Sequence, residues 1–321
     1  MDVVLSSVPN ELLMGPRPAL PPFPNGWFVF GFSDELKPGK LLVRPFMGRE
    51  VTVFRTQSGQ VYAVDSHCPH LGAHFGDGGE VRGENLECGF HGFQFNGQGT
   101  CVRAGYGVPI PVGTKLRTWP LCETNGLLLV HYHARGEAPA WDVPSVGTEG
   151  WTKLIHRSFV RDAPPQAATE NSVDLGQFAF IHKYRNRHAL CALKELEADG
   201  PHLRTAYMVR RVLRVFGIEL TEYDLEFETQ AYGLGYLLVD VRAPLFGVTV
   251  RLWVLPTSIN AQHITLRLAL RMKKWDSALG AFASVLVAHA ILNWFVHDAG
   301  EYILTDGLVG EYRQWAKQFY S

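Results

Sequence analysis

The chain has 321 residues, of which 46% are hydrophobic and 19% charged, and its formal net charge is −1. This composition is that of a folded protein of one large or two smaller domains, and the balanced charge excludes general attraction to nucleic acid or to an anionic membrane. An odd set of five cysteines, together with a start that lacks a basic segment followed by an apolar one, predicts a cytoplasmic protein without a disulfide framework.

The first part of the chain is predicted to be all β. Residues 1–26 are rich in proline and predict an arm lying over the surface. Between residues 27 and 136, two pairs of strand-like segments flank turn dipeptides, Ser58-Gly59 and Asn125-Gly126, and each predicts a β-hairpin. We therefore expect a small all-β domain over residues 27–136.

The second part, residues 137–321, predicts an antiparallel sheet covered by helices. In the segment 221–229, Tyr223, Leu225 and Phe227 alternate with acidic residues, which indicates one dry and one wet sheet face. The segment 265–272 alternates in the same way, with leucines expected inward. The fold class is therefore α+β. Helical patterns span residues 166–182, 275–304 and 308–319.

One apolar run, residues 280–296, allows two interpretations. It is shorter than the ~20 residues that a membrane span needs, and His289 and Asn293 interrupt it. We favour a helix buried in the core. The alternative is a helix that dips into a membrane surface, giving weak membrane association, or that guards an apolar tunnel.

Two cysteine–histidine pairs stand close together in a glycine-rich stretch. They are Cys68-x-His70 and Cys88-x-x-His91. Four such ligands in two close pairs suit either a tetrahedral zinc ion or an iron–sulfur cluster. If both cysteines bind one iron and both histidines the other, the centre is a Rieske [2Fe–2S] cluster.

The segments "CPHLGAH" and "CGFHGFQFNGQGTC" resemble those of Rieske non-haem iron oxygenases, the terminal oxygenase components that use O₂. The resemblance covers most of the chain, and "YRQWAKQFY" is similar to the C-terminus of the branch that contains steroid 9α-hydroxylases and sterol-modifying enzymes. It implies a Rieske domain at 27–136 and a catalytic mononuclear-iron domain of the helix-grip type at 137–321. The four pair residues would then bind the cluster, while His67 and His74 beside them would not ligate it.

The three remaining cysteines, Cys101, Cys122 and Cys191, have no partner at metal-ligand spacing. We expect them to be ordinary buried thiols.

The resemblance also implies a mononuclear iron site with one ligand changed. In the family, the site reads Asn-x-x-Asp-x-x-His-x-x-x-x-His, with an acidic residue far downstream. Asn171, Asp174 and His182 match this pattern, Asp298 is the best downstream match, and Gln177 stands at the first histidine. Residues five apart diverge by roughly 140° on a regular helix. We therefore expect a π-type bulge between 177 and 182.

Three interpretations of Gln177 stay open. Its amide oxygen could bind the iron directly or through water. Another histidine, His297 or His188, could replace the missing ligand, although His297 and Asp298 point about 100° apart on a helix. Finally, the chain could hold no mononuclear iron.

The resemblance gives Asp174 a different role and implies a homotrimer. Asp174 would link a cluster histidine of one chain, His70 or His91, to the iron ligand His182 of the next, which gives electrons a hydrogen-bonded route across the interface. Asn171 could cap a helix or donate a hydrogen bond near the iron.

The resemblance further implies a monooxygenase acting on an apolar steroid- or sterol-like or polycyclic substrate, by hydroxylation, desaturation or oxidative demethylation. Electrons would come from NAD(P)H through a separate ferredoxin or flavin reductase, since no G-x-G-x-x-G follows a predicted strand. The alternative is an electron-transfer or ligand-binding protein that descends from such oxygenases and lacks a working iron.

Overall fold

The computed structural model describes residues 21–170, 190–215, 218–298 and 309–320. Within them the chain forms four antiparallel sheets and three α-helices. The strands of the first three sheets are β1 (Gly26–Phe32), β2 (Lys40–Phe46), β3 (Arg49–Arg55), β4 (Val61–Asp65), β5 (Glu80–Arg82), β6 (Asn85–Glu87), β7 (Gln94–Phe95), β8 (Cys101–Arg103), β9 (Thr118–Trp119), β10 (Leu121–Thr124) and β11 (Leu127–Tyr132).

Three small sheets make up the first part of the molecule. Their strand orders are β1-β11-β10, β2-β3-β4-β9 and β5-β6-β7-β8. Both predicted hairpins are confirmed: β3 pairs with β4 around Ser58-Gly59, and β10 pairs with β11 around Asn125-Gly126. In the second turn both central residues have positive φ, 59° and 86°, the backbone that an Asn-Gly hairpin favours.

One seven-stranded sheet makes up most of the second part, and the α+β fold class is confirmed. Its order is β12-β18-β17-β16-β15-β14-β13. These strands are β12 (Ile155–Asp162), β13 (Leu190–Asp199), β14 (His202–Val215), β15 (Ile218–Tyr232), β16 (Tyr236–Ala243), β17 (Val248–Ser258) and β18 (His263–Met272).

The alternation predicted for residues 221–229 is confirmed in β15. Phe227 is buried and stacks on Tyr207 of β14, with ring centroids 4.8 Å apart. On the other face, Asp224 accepts two hydrogen bonds from Arg210, at 2.8 and 3.1 Å. This sheet therefore has an apolar and a charged face along its long hairpin.

Three helices accompany the sheet: α1 (Pro165–Glu170), α2 (Ala278–Asp298) and α3 (Val309–Ala316), the last followed by a 3-10 turn, Lys317–Tyr320. The two later predicted helices are confirmed within a few residues at each end that is described. Only the start of the predicted helix at 166–182 falls within the described residues.

The expectation of a buried core helix at 280–296 is wrong for most of its surface. Only 17% of the apolar window of α2 is buried, and the helix is long and apolar enough to cross a membrane by length and composition alone. Ala288 and Leu292 are buried on the core side, whereas Leu279 and Phe282 are 79% and 64% exposed. The helix therefore packs on the sheet through one stripe, against β18 and β12.

Strand β1 lies between the two parts of the molecule, and all of its seven residues are buried. On β18, Leu266, Leu268 and Leu270 are buried as predicted, but Arg267 between them is also buried, 5% exposed. Its guanidinium donates to the carbonyls of Val29 and Phe30 on β1, at 2.8 and 2.9 Å. Burial of the charge lowers the pKa of Arg267. The two hydrogen bonds offset part of the cost of this burial.

The domain boundaries predicted at residues 26 and 136 stay a prediction. Strand β1 begins at Gly26, and the seven-stranded sheet begins at Ile155. The two parts share a hydrophobic core that includes Trp27 and Leu129 from the first part and Tyr236 and Trp253 from the second.

Candidate metal centre

Two loops of the first part carry the predicted cluster ligands, and their backbones are alike. We call Cys68–Ala73 the first loop and Cys88–Phe93 the second loop. In each, the N–H of the cysteine donates to the carbonyl of the last residue, at 2.8 Å. In each, a glycine of positive φ, Gly72 at 77° and Gly92 at 70°, donates back to the cysteine carbonyl, at 2.8 and 2.9 Å. Two equivalent frames therefore present the cysteine–histidine pairs.

The two thiols are buried and unoxidised. Cys68 and Cys88 are each 2% exposed and form no disulfide. Burial and, to a smaller extent, the neighbouring Cys88 together raise the pKa of the Cys68 thiol to about 12. Two thiolates would not be stable in this environment without a cation, so the pair fits iron ligation.

The two imidazoles lie close to one another. The ring centroids of His70 and His91 are 5.0 Å apart, and His70 stacks on Phe93 at 4.3 Å. The Nδ1 atom of His70 is buried and has no hydrogen-bond partner among the residues that the structure describes. A buried nitrogen without a partner is costly unless it binds something else, so this atom fits a metal ligand.

The four predicted ligands do not converge on one point. Among the described residues, ligand atoms of three histidine, cysteine or acidic side chains come within 4.8 Å of one another in a single group, which contains none of the four. A tetrahedral zinc ion would need all four donors around one centre. A centre with two irons needs two pairs of donors instead, so the arrangement favours the cluster over zinc.

Close backbone contacts hold the second loop in place. A Cβ atom on Gly105 would lie 1.5 Å from the carbonyl oxygen of His91, and one on Gly89 would lie 2.1 Å from that of Gly78. Glycine is therefore required at both positions. The equivalent glycines at the fifth position of each loop are both open, since a Cβ on Gly72 would meet nothing within 4 Å and one on Gly92 only the Cα of Gly105 at 4.0 Å.

An apolar rim, which the sequence reasoning missed, surrounds the imidazoles. Leu71, Phe90 and Tyr106 are 71%, 69% and 79% exposed. Leu71 and Phe90 occupy the loop-tip positions that the histidines leave free. This offset between C-x-H and C-x-x-H was the signal that could have identified them.

The remaining cysteines differ in their surroundings. Cys101 is buried in the same hydrophobic core as Cys68 and Cys88, and Cys122 is half-buried. Burial raises the pKa of both thiols. The side chain of Cys191 lies outside the described residues.

The predicted mononuclear iron site falls almost entirely outside the described residues. This applies to Asn171, Asp174, Gln177, His182 and the alternative ligand His188. Helix α2 ends with His297 and Asp298, whose side chains are likewise not described. The ligand set, the π-type bulge and the role of Asp174 therefore stay predictions.

Comparison with known protein families and structures gives consistent results. Residues 26–119 match the Rieske [2Fe-2S] domain, and residues 130–320 match the 3-ketosteroid 9alpha-hydroxylase C-terminal domain. A cholesterol 7-desaturase of Bombyx mori is 31% identical over 94% of this chain and 70% of its own length. The oxygenase component of a 3-ketosteroid-9-alpha-monooxygenase of Rhodococcus rhodochrous is 29% identical over 71% of this chain and 59% of its own length.

The fold also matches a solved structure. Dicamba monooxygenase bound to dicamba superposes with a TM-score of 0.69 at 16% identity, over 94% of this chain and 97% of that one. The structure agrees with the two domain matches: the cysteine–histidine loops lie in the first matched region, and the large antiparallel sheet lies in the second. The chain belongs to the Rieske oxygenases, in the branch whose C-terminal domain is of the 3-ketosteroid 9α-hydroxylase type, and it is an oxidoreductase of that class.

Proposed function

We propose that this chain is the terminal oxygenase of a multicomponent monooxygenase that uses O₂ to hydroxylate, desaturate or oxidatively demethylate an apolar, steroid- or sterol-like or polycyclic substrate. The observation that carries the proposal is the pair of matched loops with buried thiols and adjacent imidazoles, in a chain whose residues 130–320 match the steroid-hydroxylase C-terminal domain.

Cys68, His70, Cys88 and His91 would hold the [2Fe–2S] cluster. When bound, the cluster supplies one electron at a time. The protein's contribution is to exclude water from the two thiols, which are 2% exposed, and to keep the imidazoles at the surface side of the loops. Electrons would come from NAD(P)H through a separate ferredoxin or flavin reductase.

Gln177, His182 and Asp298 would hold the mononuclear Fe(II), which supplies oxygen activation when bound. An amide oxygen is a neutral and weaker donor than imidazole for this metal, so the glutamine would bind directly or through water and leave the site less tightly closed. Asn171 would donate a hydrogen bond near the iron. The matches over the C-terminal half support an iron site here.

A homotrimer would complete the electron route, with Asp174 joining a cluster imidazole, His70 or His91, to His182 of the next chain. The apolar rim beside the imidazoles supports an interface at this place, because Leu71, Phe90 and Tyr106 would otherwise stay exposed to water.

The proposed interface can be tested by measuring the mass of the assembly in solution. Replacing Leu71 and Phe90 by glutamate should convert a three-chain species to one chain in size-exclusion chromatography with light scattering. The control is Leu220→Glu on β15, a leucine that is 58% exposed, and it should leave the mass unchanged. A wild-type monomer, or a trimer that survives the double substitution, would contradict the proposed interface.

Weak membrane association would suit an apolar substrate. Two exposed lysines, Lys273 and Lys274, precede α2, and Leu279 and Phe282 are exposed on it. Such a helix can lie in an anionic interface. Flotation with phosphatidylserine vesicles should recover wild type but not Phe282→Glu, and equal recovery of both proteins would count against this association.

The second candidate function follows from Gln177. If this residue ended iron binding, the chain would be an electron-transfer or ligand-binding protein. About three irons per chain support the oxygenase, and about two support the alternative. The Gln177→His variant separates the two functions further. If the variant loses substrate-dependent O₂ consumption, the glutamine is a working ligand. If O₂ consumption appears only in the variant, the natural site is disabled.

A further inference from the structure

The two ends of the first loop bring together a second group of ligands. His67 precedes the loop, His74 follows it, and the two residues form an isolated antiparallel bridge. Their ring centroids are 5.1 Å apart. Glu50 on β3 faces them, so that one ligand atom from each of the three side chains lies within 4.8 Å of the others.

The His74 ring is held in an orientation suited to a ligand. Its Nε2 atom is buried, lies 3.4 Å from Oε2 of Glu50, and has no hydrogen-bond partner within the described part of the chain. Its Nδ1 atom lies 3.8 Å from a carboxylate oxygen of Asp77. A Cβ on Gly76 would lie 2.7 Å from the His74 ring, so a glycine at this position leaves room for the ring. In a zinc-binding histidine the second ring nitrogen commonly donates to a carboxylate, and Asp77 lies within a small side-chain rotation of that contact.

We propose that Glu50, His67 and His74 form a binding site for a borderline divalent cation of the zinc class, separate from the iron–sulfur site. Two imidazoles and one carboxylate, with water as the fourth ligand, is a donor set that zinc accepts, whereas magnesium and calcium prefer oxygen alone. Donor atoms of a tetrahedral zinc lie roughly 3.3 Å apart, from metal–donor distances of about 2.0–2.1 Å. Side-chain rotations at the exposed Glu50 and His67 can close the remaining gap.

Such a cation would act on the neighbouring cluster site. It would fasten β3 to both ends of the loop that carries Cys68 and His70. His67 is directly bonded to Cys68, so the added positive charge would lie close to the cluster. Positive charge nearby favours the more negative, reduced form of a redox centre. Zinc binding should therefore raise the reduction potential of the cluster.

Zinc binding can be measured on the cluster-loaded protein by titration calorimetry and metal analysis after dialysis. We expect one zinc per chain, with iron and sulfide unchanged. His74→Gln and Glu50→Gln should each weaken binding at least tenfold, because each removes a ligand. The control is His263→Gln: His263 also pairs with a carboxylate, Asp162 at 3.2 Å, and its loss should leave zinc binding unchanged.

The redox readout distinguishes this site from the cluster ligands. Zinc should raise the cluster's midpoint potential in wild type and in His263→Gln. It should not move the potential in Glu50→Gln, whose substitution lies on β3 and outside both cluster loops. Three outcomes would overturn the proposal: no saturable zinc binding in wild type, equal affinity in Glu50→Gln and wild type, or zinc uptake matched by loss of iron.

Discussion

The first and second loops share a backbone and differ in what supports them and in what they present. Both close through the same two hydrogen bonds. The second loop packs tightly at two places, with Gly89 against the carbonyl of Gly78 and the carbonyl of His91 against Gly105. The first loop has the exposed Pro69 at the position of Gly89. The histidine is the third residue of the first loop and the fourth of the second. The backbone frame and the ligand chemistry are therefore set by different residues, and each can be changed alone.

Gly105→Ala should have the largest effect and should act through the second loop. The new Cβ would lie 1.5 Å from the carbonyl oxygen of His91, so the backbone must move. We expect cluster content below a tenth of wild type and a free energy of unfolding lowered by about 3 kcal/mol or more. Iron and sulfide analysis with denaturant unfolding measures both. Wild-type cluster content would show that the second loop tolerates the movement.

Exchanging the tip residues of the first loop tests the ligand chemistry while leaving the backbone frame unchanged. The double variant His70→Leu with Leu71→His moves the histidine to the fourth position, as in the second loop. We expect complete loss of the electron paramagnetic resonance signal of the reduced cluster. The free energy of unfolding of the variant without cluster should lie within about 1 kcal/mol of that of the wild-type apoprotein. Leu71→Val serves as the control and should keep the signal. A retained signal in the double variant would show that the loop position of the imidazole is immaterial.

The second positions of the loops test the difference in support. Gly89→Ala places a Cβ 2.1 Å from the carbonyl oxygen of Gly78 and should cost about 1–3 kcal/mol of unfolding free energy. Pro69 is exposed, so Pro69→Ala should cost at most about 1 kcal/mol. Denaturant unfolding of the two variants measures the difference. Equal costs would mean that the second loop is no better supported than the first.

The smallest effects should come from the two glycines of positive φ. Gly72→Ala and Gly92→Ala each force alanine into the left-handed region, at 77° and 70°, and each should cost about 1 kcal/mol. Neither Cβ would meet an atom closer than 4.0 Å, so the two costs should agree. Thermal unfolding of both variants checks this. A difference above about 1 kcal/mol would show that the two frames are not equivalent.

Local patterns predicted the parts of the molecule that local physics determines. Asn125-Gly126 predicted its hairpin because few other dipeptides accept two positive φ angles. Phe227 and its neighbours predicted β15 because the period of two separates an apolar from a charged face. The two cysteine–histidine spacings predicted the paired loops. The structure then showed that both loops close through equivalent hydrogen bonds.

Long-range packing determined what the sequence did not reveal. The burial of Arg267 depends on β1, which is more than two hundred residues away in the chain. The exposure of Phe282 on α2 depends on which elements pack against the helix, which composition does not report. The approach of Glu50 to His67 and His74 depends on the pairing of β3, and no spacing rule links these three residues.

The position of β1 has a mechanical consequence. Because this strand is shared by both cores and is joined to β18 through Arg267, the iron–sulfur part cannot swing away from the large sheet without unfolding part of each. The two parts of the chain are therefore expected to move together, without a hinge between them. A protease that cuts the connection near residue 136 should leave two fragments that stay together under native conditions.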